Sequence, residues 1–128
     1  MATRTIALFG EAEKGAFHTG TLLSSLPQLE DCFGSPPQGT QGMYFAIQSL
    51  LYNYHLIFFR VREEGVSRTD YFIGLKALSE SEFLQDVLAL GIPGVGDQEL
   101  IEATLPILRL HHPILITTEA DLFDLIHS

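Results

Sequence analysis

Four short apolar runs, each closed by a loop of glycine, charged or hydroxyl residues, constrain this chain more than any other feature. Ile6-Ala7-Leu8-Phe9 stops at Gly10, and Leu56-Ile57-Phe58-Phe59-Arg60-Val61 stops at Arg62-Glu63-Glu64-Gly65. Val87-Leu88-Ala89-Leu90 stops at Gly91-Ile92-Pro93-Gly94-Val95-Gly96-Asp97, and Pro113-Ile114-Leu115-Ile116 stops at Thr117-Thr118. Helical patterns fill the spaces between them. Near-continuous apolar runs of this length suit strands buried on both faces, which means parallel strands covered by helices. The expected fold is therefore α/β: a three-layer domain with a mainly parallel sheet of about four strands. Such sheets bind ligands in the crevice beyond the carboxyl ends of their strands, so the pattern also says where a site belongs.

A length of 128 residues fits one domain, 1–128, with a real core. The net charge is -9, from 7 Lys+Arg against 16 Asp+Glu, and that sign opposes binding to nucleic acid or an anionic membrane. No basic stripe with interleaved aromatics is present. Charged residues make up 18% of the chain, against roughly 25% in an average globular protein, so part of the surface is expected to be covered in an oligomer. A homodimer is the commonest such arrangement.

One cysteine, Cys32, cannot form an internal disulfide, and a reducing, cytoplasmic compartment is the expectation. With no basic neighbour to lower its pKa, Cys32 is expected to be buried packing rather than a nucleophile. The start, Met1-Ala2-Thr3-Arg4, lacks the basic region, long apolar run and cleavage site of a signal peptide. Met43 to Phe59 carries no Asp, Glu, Lys or Arg, but Gln48, Ser49, Asn53 and His55 interrupt it. It reads as a buried helix running into a buried strand rather than as a membrane span.

Along the chain, residues 4–9 read as the first strand and Gly10–Gly20 as a long loop. Ser25 is a suitable N-cap, Pro27 fits a first helical turn, and Gly34 closes that helix. Met43–Asn53 is a helix apolar nearly all round. The second strand covers His55–Val61. Ser67-Arg68-Thr69-Asp70 resembles a capping box, followed by Tyr71, Phe72, Leu75 and Leu78 on one helical face. Gly74 makes a hairpin strand the competing reading over residues 67–78. The third strand is Asp86–Gly91. Asp97 caps a helix with Leu100, Ile101, Leu105 and Leu108 on its apolar face, which Pro106 is expected to end or kink. The fourth strand is Pro113–Thr117, and Thr118-Glu119-Ala120-Asp121 opens a short terminal helix with Leu122, Phe123, Leu125 and Ile126. Right-handed crossovers place all four strand ends on one edge.

That edge holds the candidate site. Gly10-Glu11-Ala12-Glu13-Lys14-Gly15 has the glycine spacing of a phosphate loop. Ala16 and Phe17 stand where Lys and Ser or Thr are required, and two carboxylates lie inside the loop, so a Walker loop is rejected. Gly94 and Gly96 stand in a strand-to-helix loop, where glycine lets backbone approach a ligand and a helix N-terminus favours an anion. Glu99 occupies the third glycine position of a dinucleotide fingerprint. Arg60, Arg62 and Arg68 are three of only seven Lys+Arg residues, all within nine positions. Arginine offers a planar fork to phosphate or carboxylate, against the plainer reading of pairing with Glu63, Glu64 or Asp70. Glu11, Glu13, Glu63, Glu64 and Glu119 lack a compact metal-binding spacing, so no metal is assigned. A phospho-receiver would need an acceptor Asp at its third strand and a Lys at a later one, and has neither.

His18 is the one histidine on the site side, and with Glu11 and Glu13 it is a candidate general acid or base. His111 and His112 are expected in an edge or capping role. His55 begins a strand, and His127 is near the end of the chain. The pattern resembles Rossmann-like or flavodoxin-like architecture in general, but no family motif is complete and architecture alone does not give function. The leading expectation is a domain that binds a small anionic ligand, a nucleotide or derivative among them. Gly10, Gly94 and Gly96 would bring backbone to it, Arg60, Arg62 or Arg68 would neutralise its charge, and Thr117 or Thr118 would donate a hydrogen bond. No cofactor, reaction or partner protein is identified. The rival expectation is a non-catalytic protein-interaction subunit, which would expose an apolar patch on a helix face.

Overall fold

A computed structural model describes residues 4–127. It is an α/β fold of the Rossmann-like, flavodoxin-like three-layer kind, built on a five-stranded sheet in the order β2-β3-β1-β4-β5. The strands are β1 (Thr5–Gly10), β2 (Thr21–Leu23), β3 (His55–Arg60), β4 (Val87–Gly91) and β5 (Ile114–Ile116). β3, β1, β4 and β5 are mutually parallel, and β2 runs antiparallel on the outer side of β3. The expected count of about four strands is thus corrected to five. β2 has only three residues, and Leu22 at its centre is exposed, so no apolar run marks it. Short edge strands of this kind resist pairing with other chains.

Alternation along the strands sorts the core into two layers. Ile6 and Leu8 of β1, with Leu56 and Phe58 of β3, face α1 (Leu26–Phe33), α2 (Gly42–Leu51) and α5 (Glu119–Ile126). Ala7, Phe9, Ile57 and Phe59 face α3 (Arg68–Ser79) and α4 (Gln98–His111). Side chains that alternate with a period of two are what allow one strand to supply both layers. The β1–β4 register slips between Thr5 and Ile6. Leu88 is the extra residue there, and both Leu88 and Ala89 contribute to the α2 side.

The long uncharged stretch divides as expected, into α2 and β3, and among the described residues no helix is long and apolar enough to cross a membrane. Residues 68–79 are helix, not hairpin. The glycine that weakened that reading has a packing role: a Cβ on Gly74 would lie 2.4 Å from the Phe9 ring, so only glycine lets α3 sit this close to the sheet. The expected Ser67 capping box is not formed. Ser67 Oγ turns back to accept from the Glu63 N–H, and Asp70 is engaged elsewhere. Pro106 does not end α4, which continues to His111 and buries Leu100, Thr104 and Ile107. The Ser25, Asp97 and Thr118 caps form, the last as a full capping box with Asp121. His112 is the left-handed C-cap of α4. Cys32 is a free thiol on the exposed face of α1, not buried packing; Leu29 and Phe33 take the inward positions of that helix.

Candidate functional site at the carboxyl edge

The crevice predicted by topology lies between the exits of β1 and β4, because the helices that follow these two adjacent strands lie on opposite faces of the sheet. The chain itself fills this crevice. The turn after β3 brings the Glu64 carboxylate over the end of β1, where Oε1 accepts from the N–H of Glu11 at 3.1 Å and of Gly42 at 2.7 Å. Its Oε2 accepts from the N–H of Gln41 at 2.8 Å. The free amides at the start of α2, a natural seat for an anion, are thus occupied by an internal carboxylate. Two glycines make room for it: a Cβ on Gly10 would lie 2.7 Å from Gly42 Cα. The next residue, Gly65, closes on the β4 exit, since its Cβ position is 2.5 Å from the Gly94 carbonyl oxygen. The Gly65 N–H donates to the buried Tyr71 hydroxyl at 2.8 Å.

A second group forms where the long first loop passes over the end of β3. Phe17 makes a parallel bridge with Arg60. The Arg60 and Arg62 guanidinium carbons lie 4.3 and 5.1 Å from the Phe17 ring centroid, within cation–π range. Arg60 Nη1 donates to the Gly15 carbonyl at 2.7 Å, while its buried Nε has no hydrogen-bond partner among the described residues. Next to Phe17, His18 Nε2 lies 2.7 Å from Asp70 Oδ1. His18 holds a left-handed backbone, with φ 67°. Such a conformation is uncommon for a residue with a side chain and needs its surroundings to hold it.

Asp70 sits in the first turn of α3 with its side chain 1% exposed, against 35% for His18 and 65% for Arg62. Burial alone would raise its pKa. The Arg62 N–H at 2.9 Å, the His18 ring and the charges of Arg62 and His18 together outweigh burial and hold the carboxyl below its ordinary range. An ionised Asp70 accepts only, so His18 Nε2 is the nitrogen that carries the proton. Tyr71 shows the opposite balance: burial, with the Glu64, Glu11 and Asp70 charges, pushes its hydroxyl up to about 12 against the opposing Gly65 hydrogen bond.

The structure therefore brings His18, Arg60 and Arg62 together, and places the other expected residues elsewhere on the same edge. Gly10 lies under Glu64. Glu11 accepts from the Glu64 N–H at 2.9 Å, and the Glu13 side chain rests against Gly34. Arg68 is drawn to the start of α4, paired with Asp97 at 3.1 Å and with Glu99. The Thr117 N–H and hydroxyl both donate to Asp121, and the Thr118 hydroxyl accepts from Asp121 N–H. Gly94 and Gly96 have open space where a side chain would stand, and of the two Gly94 alone has positive φ, 79°.

Sequence reasoning named Asp70 as an ion-pair partner for the arginines, which it is for Arg62 at 3.9 Å, but missed Phe17, the contact of Asp70 with His18 and the main-chain partners of Glu64. Asp70 had a signal. It shares the buried stripe of Tyr71, Gly74, Leu75 and Leu78, and a carboxylate at such a position needs a partner. Glu64 had none, because its partners are main-chain groups 22 and 53 residues away. Comparison with known proteins yields no match: no family model, no curated protein and no solved structure is detectably similar to the chain.

Proposed function

We propose that this is a ligand-binding domain whose site takes a small phosphate- or carboxylate-bearing molecule at the exit of β3, between Arg60, Arg62 and His18. The observation that carries the reading is the convergence of both guanidinium groups on Phe17, beside the His18–Asp70 pair, in a chain of net charge -9. Arg62 is largely exposed and has donors to offer an oxyanion, while Arg60, whose unpartnered Nε is buried, adds its positive charge beside Phe17. The β1–β4 crevice is not the seat in this reading, because Glu64 already holds its amides. Thermal-shift titration with inorganic phosphate, nucleotides and sugar phosphates tests it, since a ligand selective for the native state raises the melting temperature. Arg60→Gln and Arg62→Gln are expected to abolish the stabilisation, and Arg68→Gln, whose partners are on α4, to leave it intact. Stabilisation equal in all three variants, or none by any anion, overturns the proposal.

A second reading is favoured by a groove of about 470 Å³ between α2 and α5, lined by Tyr44, Gln48, Tyr52, Leu122, Phe123 and His127 among others. Tyr44, Tyr52 and Phe123 are exposed there, which is the apolar helix face expected of an interaction subunit. In this reading the face covers a second copy of the chain. Light scattering during size exclusion would report about twice the 14.2 kDa chain mass at micromolar concentration, and Phe123→Ser would return it to the monomer. A monomer in both proteins removes this reading.

A further inference from the structure

We infer that His18 is a phosphoryl acceptor, with Nδ1 as its nucleophile and an N-phosphorylated compound as its donor. The inference rests on the anion seat proposed above and names the chemistry that seat would serve. Three features of the geometry carry it.

The tautomer comes first. The ionised Asp70 carboxylate holds a proton on Nε2, so whenever the ring is in its neutral form the lone pair is on Nδ1, which has no hydrogen-bond partner among the described residues. Neutral imidazole with one nitrogen fixed in this way is a nucleophile at the other. The second feature is what happens to charge. When Nδ1 bonds to phosphorus the ring becomes cationic, and that charge develops 2.7 Å from a carboxylate that burial and the Arg62 N–H keep in place. The third is the receiving ground for the phosphoryl oxygens. Arg60 at the end of β3 and Arg62 just after it lie against the preceding residue, Phe17, and supply positive charge beside His18. The left-handed backbone at His18 makes its position a fixed one, since the Asp70 bond and the Phe17–Arg60 bridge clamp it from two sides.

The step balances without a further reactant. The Nδ1 lone pair attacks phosphorus, the N–P bond forms, and the P–N bond of the donor breaks. The donor nitrogen, which in phosphoramidate already carries its extra proton, leaves with the electron pair as the neutral amine, ammonia. No proton leaves His18: Nε2 keeps its own, hydrogen-bonded to Asp70, and the phosphoryl group stays dianionic beside the guanidinium groups.

Phosphoramidate is the probe, and the chain supplies its own control. His111, His112 and His127 are more exposed than His18 and have no carboxylate on the ring among the described residues. Incubation of the full chain, followed by site-resolved mass spectrometry and phosphorus NMR, is expected to label His18 first, on the order of tenfold faster than those three. Asp70→Asn is expected to bring His18 down to their rate. Arg62→Gln is expected to slow it while circular dichroism stays unchanged. Should Asp70→Asn unfold, His18→Gln, which must lose the fast site and leave the slow ones, decides the matter. Labelling of His18 no faster than of His111, His112 and His127 overturns the inference. Phosphate stabilisation abolished by Arg62→Gln, together with slow His18 labelling, would overturn this inference and leave the anion seat standing. Fast His18 labelling without any anion stabilisation would do the reverse.

Discussion

Glu11 and Glu64 each accept a hydrogen bond from the other's backbone: the Glu11 N–H donates to Glu64 at 3.1 Å, and the Glu64 N–H donates to Glu11 at 2.9 Å. Two adjacent parallel strands, β1 and β3, are thereby tied beyond the last rung of their ladder. Glu64 also holds the first amides of α2, so one side chain fixes a strand exit, a turn and a helix start. The crest of the sheet over the β1 exit is closed by the protein's own chemistry.

The first prediction follows from that relationship. Glu64→Ala leaves three backbone N–H groups without their acceptor, one of them on the buried Gly42. The expected loss is about 2–3 kcal/mol in urea denaturation, since a partly buried donor left unpaired costs about 1 kcal/mol or more. Glu64→Gln retains one carbonyl oxygen and should lose less. A change below about 0.5 kcal/mol for the alanine variant would show that water or another side chain replaces the carboxylate at no cost.

The glycines of the edge should separate into three grades. Gly42→Ala places a Cβ 2.6 Å from Gly10 Cα, a backbone atom that cannot rotate away, so strands or helix must move. Its cost should exceed the others, at about 2 kcal/mol or more. Gly94→Ala meets open space but has positive φ, and is expected to lose about 1 kcal/mol. Gly96→Ala meets neither obstacle and should fall within about 0.5 kcal/mol of the parent. Thermal melts of the three variants test the order, and equal losses at Gly94 and Gly96 would contradict the backbone argument.

Tyr71 predicts the alkaline limit. Its hydroxyl is pushed up from 10.0 to about 12 by burial and by neighbouring carboxylates. Above pH 10 the unfolded chain gives up this proton while the folded one keeps it, so stability present below that pH is lost as pH rises toward about 12. Tyr71→Phe removes this component and flattens the alkaline limb. At neutral pH it leaves the Gly65 N–H without its acceptor, so the variant should be about 1 kcal/mol less stable. An alkaline limb of unchanged steepness in Tyr71→Phe would assign it to another group.

Much of the fold was legible because long parallel strands advertise themselves. The runs ending at Phe9, Val61, Gly91 and Ile116 each lie in or beside an observed strand. β2 was not legible, since three residues with an exposed centre make no pattern. Of the site, His18, Arg60 and Arg62 were visible as unusual charges near strand ends, and the structure brings them together. Arg68 and the two threonines were equally visible, yet Asp97, Glu99 and Asp121 engage them locally. Sequence shows which groups exist, and only the tertiary arrangement shows which are already spoken for. Asp70 illustrates the limit: as a residue it suited a helix cap, but burial on the α3 stripe turned it toward His18.

Asp70 also contributes to the acid limb of stability. Its folded pKa lies below the ordinary 3.8, so the unfolded chain binds its proton at higher pH than the folded one does. The stability it contributes is therefore complete above about pH 5 and is lost as pH falls through 3.8 toward the folded value. Asp121, lowered by the Thr117 N–H against burial and further by Thr118, adds to the same limb. Asp70→Asn should cost about 1.5–3 kcal/mol at pH 7, the usual range for a hydrogen bond to a charged group, and should make the acid limb shallower. His18→Gln should cost less, because Asp70 keeps the Arg62 N–H. The two losses should not add: His18 and Asp70 share one bond, so the double variant should fall short of the sum by about 0.5 kcal/mol or more. Strict additivity across urea titrations at pH 7 and pH 4 would mean that the two side chains do not act as a pair in solution, and the tautomer argument for Nδ1 would fall with it.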